Sequence, residues 1–494
     1  MKSDLSLYGE YGESKKWETV IGLEVHAELS TKSKIFCGCS TDFGAEPNTQ
    51  VCPICTGMPG TLPKLNRSVV EYALKLGLVL NCEITKYTKF DRKNYTYPDL
   101  PKAYQVSQLY APICRNGYLE IETNDKKKRI GIHQIHMEED AGKLIHKKGQ
   151  TYMDFNRSSI PLLEIVSKPD FRSGQEVLAY LEKLRETLLF LDICNCKMQE
   201  GSFRADVNLS IRPLSDTGEP DKLGTRTETK NLNSFKAINR AIEYETNRQI
   251  EILEEGGKII QETRRWDDDR EISYGMRSKA NAQDYRYFPE PDLLPISIDE
   301  SWLLKVSAEI PELAHQKRER YIQEYGLSTV EAGILTSHRN ISGQFEALCN
   351  QSGQPRESAN LFTGEIMRLM NNASVLPENL TLDINKLTTL ITLVMDGKIN
   401  RNAYKEAIEA VFLHNADPES YISEKGLTMV SDKGALEDMA KSVIADNPGA
   451  VADYKAGKQK AFGFLMGQIM KELGGSGNPN LVKEVLTKNL ENVN

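Results

Sequence analysis

The chain has 494 residues, 39% hydrophobic and 27% charged, with a formal net charge of −8. That length exceeds what one hydrophobic core organises, so about two to four domains are expected. The acidic balance excludes a protein that coats nucleic acid over its whole surface while allowing a local basic patch, and no apolar run approaches the ~18 residues of a membrane-spanning helix. The opening Met1–Gly12 lacks an apolar signal core and reads as the loose arm of a cytoplasmic protein. Nine cysteines in such a chain are expected to be thiols and metal ligands rather than a disulfide framework.

In Thr19–Leu29 the apolar Ile21, Leu23, Val25 and Ala27 alternate with Gly22, Glu24, His26 and Glu28, the period of a half-buried strand. Side chains two apart share a face at roughly 6.5 to 7 Å. Glu24 and His26 can therefore converge on one small cation; a solvated outer face is the plainer alternative. Next come Cys37 and Cys39, twelve intervening residues, then Cys52 and Cys55, with Gly and Pro bending the chain between them. Two close thiol pairs can close a tetrahedral structural Zn(II) site, or the spacing is coincidental and the thiols are simply reduced.

Phe90–Gln105 mixes Arg92, Lys93 and Lys102 with tyrosines and prolines, which suits phosphate and base contacts as well as an ordinary aromatic loop. A strand-like segment ends in Glu138, Glu139 and Asp140, and an acid run of this kind is usually solvated. Glu164 is more telling: inside the apolar run Ile160–Val166 a carboxylate has to be paired, protonated or bound to metal. Ser173 and Glu176 form a capping box before a core helix marked by Val177, Leu181, Leu184, Leu188 and Leu191. Ser202–Arg212 alternates again, leaving Arg204, Asp206, Asn208 and Arg212 on one face, groups that bind a metal–phosphate or a carboxylate.

Thr225–Ser234 reads as a β-branched strand running into a helix capped by Asn233 or Ser234 and stopped at Gly256 and Gly257. Gln261–Trp266 and Asp284–Asp292 fit binding surface and packed loop equally. Beyond about residue 305 helical patterns dominate, as in Val330–Ser337 and Ala359–Met370, and His315, His338 and His414 read as structural or solvated. The last helices are broken at Asn447–Gly449 and Gly474–Pro479, and Gly463 and Gly467, four apart, allow close approach by another backbone.

Collected, the polar candidates are Glu24, His26, Glu139, Glu164 and Asp206, a hard set that suits Mg(II) or Mn(II). There is no phosphate-binding G-x-x-x-x-G-K-[ST] motif, so nucleotide binding needs a less common fold. From the residues alone, a zinc-stabilised RNA-binding protein and a metal-dependent nuclease or phosphatase remain rivals.

Over nearly its whole length the sequence resembles one family, GatB of the GatCAB complex, a component of the aspartyl/glutamyl-tRNA(Asn/Gln) amidotransferase. The likeness is carried by Ile21–His26, Phe90–Tyr95, His136–Gly142, Pro161–Val166, Lys230–Ser234, Asp284–Asp292 and Gly463–Met470. It implies ATP-dependent phosphorylation of the side-chain carboxyl of mischarged Glu-tRNA(Gln) or Asp-tRNA(Asn), followed by displacement of phosphate by ammonia. The ammonia would come from a partner amidase, GatA, through a polar tunnel, with the small GatC completing a heterotrimer. The resemblance assigns Glu24, His26, Glu139, Glu164 and Asp206 as catalytic Mg(II)-bearing residues. It places Lys93 and Lys102 near the tunnel mouth or a phosphate, and Cys37, Cys39, Cys52 and Cys55 on a structural zinc. The implied fold class is α+β: a cradle-shaped α/β catalytic domain with a mixed or antiparallel sheet over 1–305, an all-α domain over 306–415, and an all-α YqeY-like, tRNA-binding tail over 416–494.

Overall fold

The structure is a computed structural model describing residues 17–124, 126–214, 222–276, 284–429, 433–473 and 479–491. The expected N-terminal arm and residues 474–478 of the glycine-rich break lie outside the described residues. The chain divides into two compact units, Met1–Leu313 and Ala314–Asn494.

The first unit is built on a nine-stranded mixed sheet whose middle is the alternating stretch read above. Strands named below are β1 (Trp17–Glu28), β2 (Asp91–Asn94), β3 (Tyr104–Ser107), β4 (Lys126–Glu139), β5 (Pro161–Ser167), β6 (Phe203–Pro213) and β7 (Thr227–Lys230). β1 lies between β5 and β6 and is antiparallel to both; β4 flanks β5 and β7 flanks β6. Thr263–Asp267 joins β7 in parallel and makes the sheet mixed, one of the two forms expected for the α+β class.

The apolar face holds the sheet down. Leu23, Val25, Ala27, Ala205, Val207, Leu163 and Ile165 are each no more than 1% exposed. Two helices cover that side, α1 (Gly174–Phe190) and α2 (Phe235–Glu254). Phe203 on the sheet meets Phe235 on α2 edge-on at 6.4 Å, and Phe171 meets Tyr180 on α1 at 5.1 Å. The caps follow the sequence: Ser173 accepts from the Glu176 amide, and of the two cap candidates Ser234 serves, accepting from the Ala237 amide. Glu176 does not complete the expected box, because its carboxylate takes the Arg172 amide and Lys128 instead.

The two undecided segments differ: Gln261–Trp266 runs into a strand with a buried indole, whereas most of Asp284–Asp292 is exposed, Phe288 at 42%, and Glu290 is buried. Trp266 is 1% exposed within Thr263–Asp267. Phe288–Pro289 pairs with β2, where Arg92 makes a two-pronged bond to Glu290 at 2.8 Å on each arm. β2, β3 and Phe288–Pro289 thus form a small sheet of their own beside the large one.

The second unit is helical and holds two separate hydrophobic clusters, one drawn from positions 321–422 and one from 436–490. Thr329–Leu335 starts in a complete capping box of Ser328 and Glu331, and His338 caps Arg339–Ser352 by accepting from the Asn340 amide. A methyl group added at Gly463 or Gly467 would meet nothing within 4 Å, so the space beside both is open among the described residues.

Candidate active site

Because side chains alternate across a strand, the face turned away from α1 and α2 collects the polar half of each strand. On β1 that half is Glu24, His26 and Glu28. Register assembles the rest: Glu24 lies opposite Asp206, and His26 lies between Glu164 on β5 and Arg204 on β6. Asn208 faces Glu228 on β7, and Glu164 faces His136 on β4. Five adjacent strands therefore contribute to one row.

The row resolves into two groups. In the first, His26 Nε2 stands 3.6 Å from Glu164 Oε2 and 3.9 Å from Glu138 Oε1. His136 Nε2 is 2.9 Å from the same Glu164 oxygen and 3.7 Å from Glu138 Oε2. The second group is Glu24, Asp206 and Glu228, with Lys230 Nζ bridging Asp206 at 2.6 Å and Glu228 at 2.7 Å and Asn208 donating to Glu24 at 3.0 Å. In each triad of His26, Glu138 and Glu164, and of Glu24, Asp206 and Glu228, one donor atom per residue lies within 4.8 Å of the others. An octahedral ion with ligands at about 2.1 Å sets neighbouring donors about 3 Å apart, so both triads fit a hard divalent cation after small inward shifts.

The five-residue shell expected from sequence is thus divided. His26 and Glu164 fall in the first group, Glu24 and Asp206 in the second, and Glu139 in neither. Glu139 follows Glu138 on β4 and so points to the opposite side of the sheet. There its carboxylate takes Lys102 Nζ at 2.5 and 2.7 Å, the Val106 amide at 2.9 Å and Ser159 Oγ at 2.6 Å. The two lysines part in the same way. Lys102 belongs to Glu139, whereas Lys93 sits 5.1 Å from the Tyr285 ring and 5.8 Å from the Tyr95 ring, on the side of Glu138 and Glu164.

Charge balance explains why this many buried groups coexist. Burial works against the His136 imidazolium, but Glu164 and Glu138 overcome it and carry its pKa up to about 10. His26 is raised in the same sense, against burial, by Glu164 and Glu138. Burial would push Glu164 up; His136 and His26 instead hold it well below the usual carboxylate range. For Glu24, burial dominates and, with the charges of Glu164 and Glu228, raises its pKa. Burial opposes the Lys93 ammonium too, yet Glu138, Tyr287 and Glu164 outweigh it and raise its pKa. At the end of β1, burial and the neighbouring Asp140 keep Glu28 protonated to about pH 9, while Asp140 pairs with Arg204 at 2.8 Å.

Before β2, Cys37, Cys39, Cys52 and Cys55 bring their sulfurs within 4.8 Å of one another. A tetrahedral zinc with Zn–S near 2.3 Å needs sulfurs about 3.8 Å apart, so the four fit that ion. The charge also fits. Lys34 is fully buried, and its ammonium lies 3.6 Å from Cys55 Sγ and 3.3 Å from the Phe155 carbonyl. The bond from Cys37 and, against burial, the Cys52 amide and Lys34 draw the Cys55 thiol down to about 5.

Residues 19–304 match the GatB/GatE catalytic domain family, and residues 344–490 match the GatB domain family. The B subunit of an aspartyl/glutamyl-tRNA(Asn/Gln) amidotransferase from Lachnoclostridium phytofermentans is 57% identical over 474 residues, 96% of this chain and 98% of that protein. The chain belongs to the GatB family. Further relatives of the same description come from Caldicellulosiruptor bescii, 53% identical over 97% of this chain and 100% of that protein, and from a Thermoanaerobacter species, 50% identical over 96% and 99%.

Within this GatB-family sheet, sequence reasoning missed His136, Glu138, Glu228 and Lys230. The alternation that places them was only partly legible, clear at His136 and blurred at Glu138, Glu228 and Lys230. His136 and Glu138 alternate with Ile135 and Met137, and Glu228 and Lys230 alternate with Thr227 and Thr229. No helix among the described residues is long and apolar enough to cross a membrane.

Proposed function

We propose that this chain is the component of a tRNA-dependent amidotransferase that activates the side-chain carboxyl of mischarged Glu-tRNA(Gln) or Asp-tRNA(Asn) and amidates it. The observation that carries the reading is the row of carboxylates and imidazoles across five adjacent strands, in a chain whose relatives bear that enzyme's name. A carboxylate oxygen of the substrate attacks the γ-phosphorus of ATP, ADP leaves, and an acyl phosphate forms; ammonia then attacks the acyl carbon and phosphate departs with its bonding electrons. Mg(II) or Mn(II) held by His26, Glu138 and Glu164 and by Glu24, Asp206 and Glu228 would neutralise charge on the transferring phosphoryl group.

The chain's own residues do the placing. His136 orients Glu164, and Lys230 keeps Asp206 and Glu228 together. Lys93 directs a buried positive charge toward Glu138 and Glu164, where the phosphate of an acyl phosphate would be held. Lys102 and Glu139 form a separate polar contact, which we assign to the arrival of ammonia. That ammonia is supplied by the amidase GatA, in a cytoplasmic heterotrimer completed by the small GatC. We assign the catalytic part to residues 1–305, the following helices to 306–415, and tRNA binding by shape to the tail, 416–494.

The test is stoichiometric. With GatA, GatC and glutamine, or with an ammonium salt alone, ADP formed should equal amide formed on mischarged tRNA. Amide without ATP consumption, or ATP consumption indifferent to the mischarged tRNA, overturns the reading.

A further inference from the structure

The Lys102–Glu139 pair lies across β4 from the carboxylate row, and the cysteine loop shapes its surroundings. Phe36, next to the first cysteine, is 1% exposed, and its ring centre is 5.7 Å from Lys102 Nζ. Gly57, two residues past the last cysteine, has φ +69°, a backbone setting that favours glycine. It is crowded as well: a Cβ there would stand 2.5 Å from Lys102 Cγ, 3.2 Å from its Cα and 3.3 Å from its N. Two neighbouring serines link the same parts from below. Ser158 Oγ donates to the Cys55 carbonyl at 3.1 Å, and Ser159 Oγ donates to Glu139 Oε2 at 2.6 Å. Both members of the ion pair are therefore seated on backbone tied to the four thiols.

We propose that the four-cysteine centre is a positioning device for the Lys102–Glu139 pair, with Gly57 as the positioning residue. Metal ligation fixes the turn from Cys52 to Gly57. That turn presses the stem of Lys102 into place, and the Ser158–Ser159 step carries the same constraint to Glu139. Released from the metal, the turn loses its tether, and the Lys102 ammonium gains freedom to leave its carboxylate. The proposal rests on the thiols holding a metal; it does not depend on the transamidation reading.

The experiment uses the full chain loaded with zinc and follows acetylation of each lysine by an N-hydroxysuccinimide ester, read by mass spectrometry, so no turnover is involved. Gly57→Ala is expected to keep one zinc per chain while Lys102 acetylates about fivefold faster, the scale of a loosened partly exposed ion pair. Lys93 and Lys230, on the side of the carboxylate row, should keep their rates. Chelation of the wild-type chain should produce the same selective rise, and added zinc should reverse it there but not in Gly57→Ala. If Lys102 is no faster in either preparation, or if all lysines speed up together, the proposal is overturned. Should Gly57→Ala fail to fold, the chelated and reloaded wild-type chain decides alone.

Discussion

The two carboxylate groups share a sheet face and a ligand chemistry, yet they are kept together by different cations. In the His26–Glu138–Glu164 group the compensating charge comes from imidazoles, and Lys93 stands back among tyrosine rings. In the Glu24–Asp206–Glu228 group a lysine ammonium already bridges two of the three acids. A divalent ion entering the first group displaces no ammonium. One entering the second must break two bonds to a charged donor, each worth about 1.5–3 kcal/mol. Equal donors do not make equal sites: once His26 has given up the proton that Glu164 and Glu138 favour, the first group is expected to fill at lower metal concentration, and the second answers to whatever draws Lys230 away.

The largest effect should come from the first group. His26→Ala or Glu138→Gln is expected to lower amidation about 1,000-fold while tRNA affinity, followed by filter binding, stays within about threefold. Normal turnover in both would remove this group from the chemistry. Lys230→Met tests the second directly: without its ammonium, the weaker Mn(II) site seen by electron paramagnetic resonance should tighten about tenfold or more. An unchanged or weaker site would mean that Lys230 supports the acids rather than competing for them. His136→Asn should weaken the tighter site about tenfold, the usual effect of losing a residue that orients a ligand.

The same substitution carries a pH signature in the metal-free chain. A histidine raised from 6.5 to about 10 contributes stability that is fully present below pH 6.5 and is lost as the pH rises through about 10. Wild type should therefore lose on the order of 1 kcal/mol or more between those limits in denaturant titrations, and His136→Asn should lose visibly less. Glu139→Gln should have the smallest effect on metal. Its side chain points away from both groups, so each Mn(II) affinity should hold within about twofold. A larger change would show that the two faces of β4 communicate.

How far the sequence could be read follows from the strand period. Alternation alone exposed Glu24, His26, Asp206 and the sheet face they share, because each sits among apolar neighbours that had to go inward. It could not choose between Glu138 and Glu139, since three acids in a row erase the period, and only pairing with β5 decides which of them meets His26. Glu228 escaped for the opposite reason: in Thr227–Lys230 the inward residues are the buried threonines Thr227 and Thr229, the first tied to Glu245 and Gln249 by hydrogen bonds, so the strand looked polar on both faces. The four thiols were legible because spacing alone brings them near each other. Lys34 was not, because its link to Cys55 depends on how the loop folds back.

The row draws its members from position 24 to position 230, with the strand that begins the sheet lying in the middle of it. During synthesis that first strand has to wait, unpaired on both edges, until its later neighbours emerge from the ribosome. A truncated product ending before β6 can keep the imidazole half of the row but owns no second triad. Premature termination upstream of β6 therefore yields chains that lack the full charge-compensating centre.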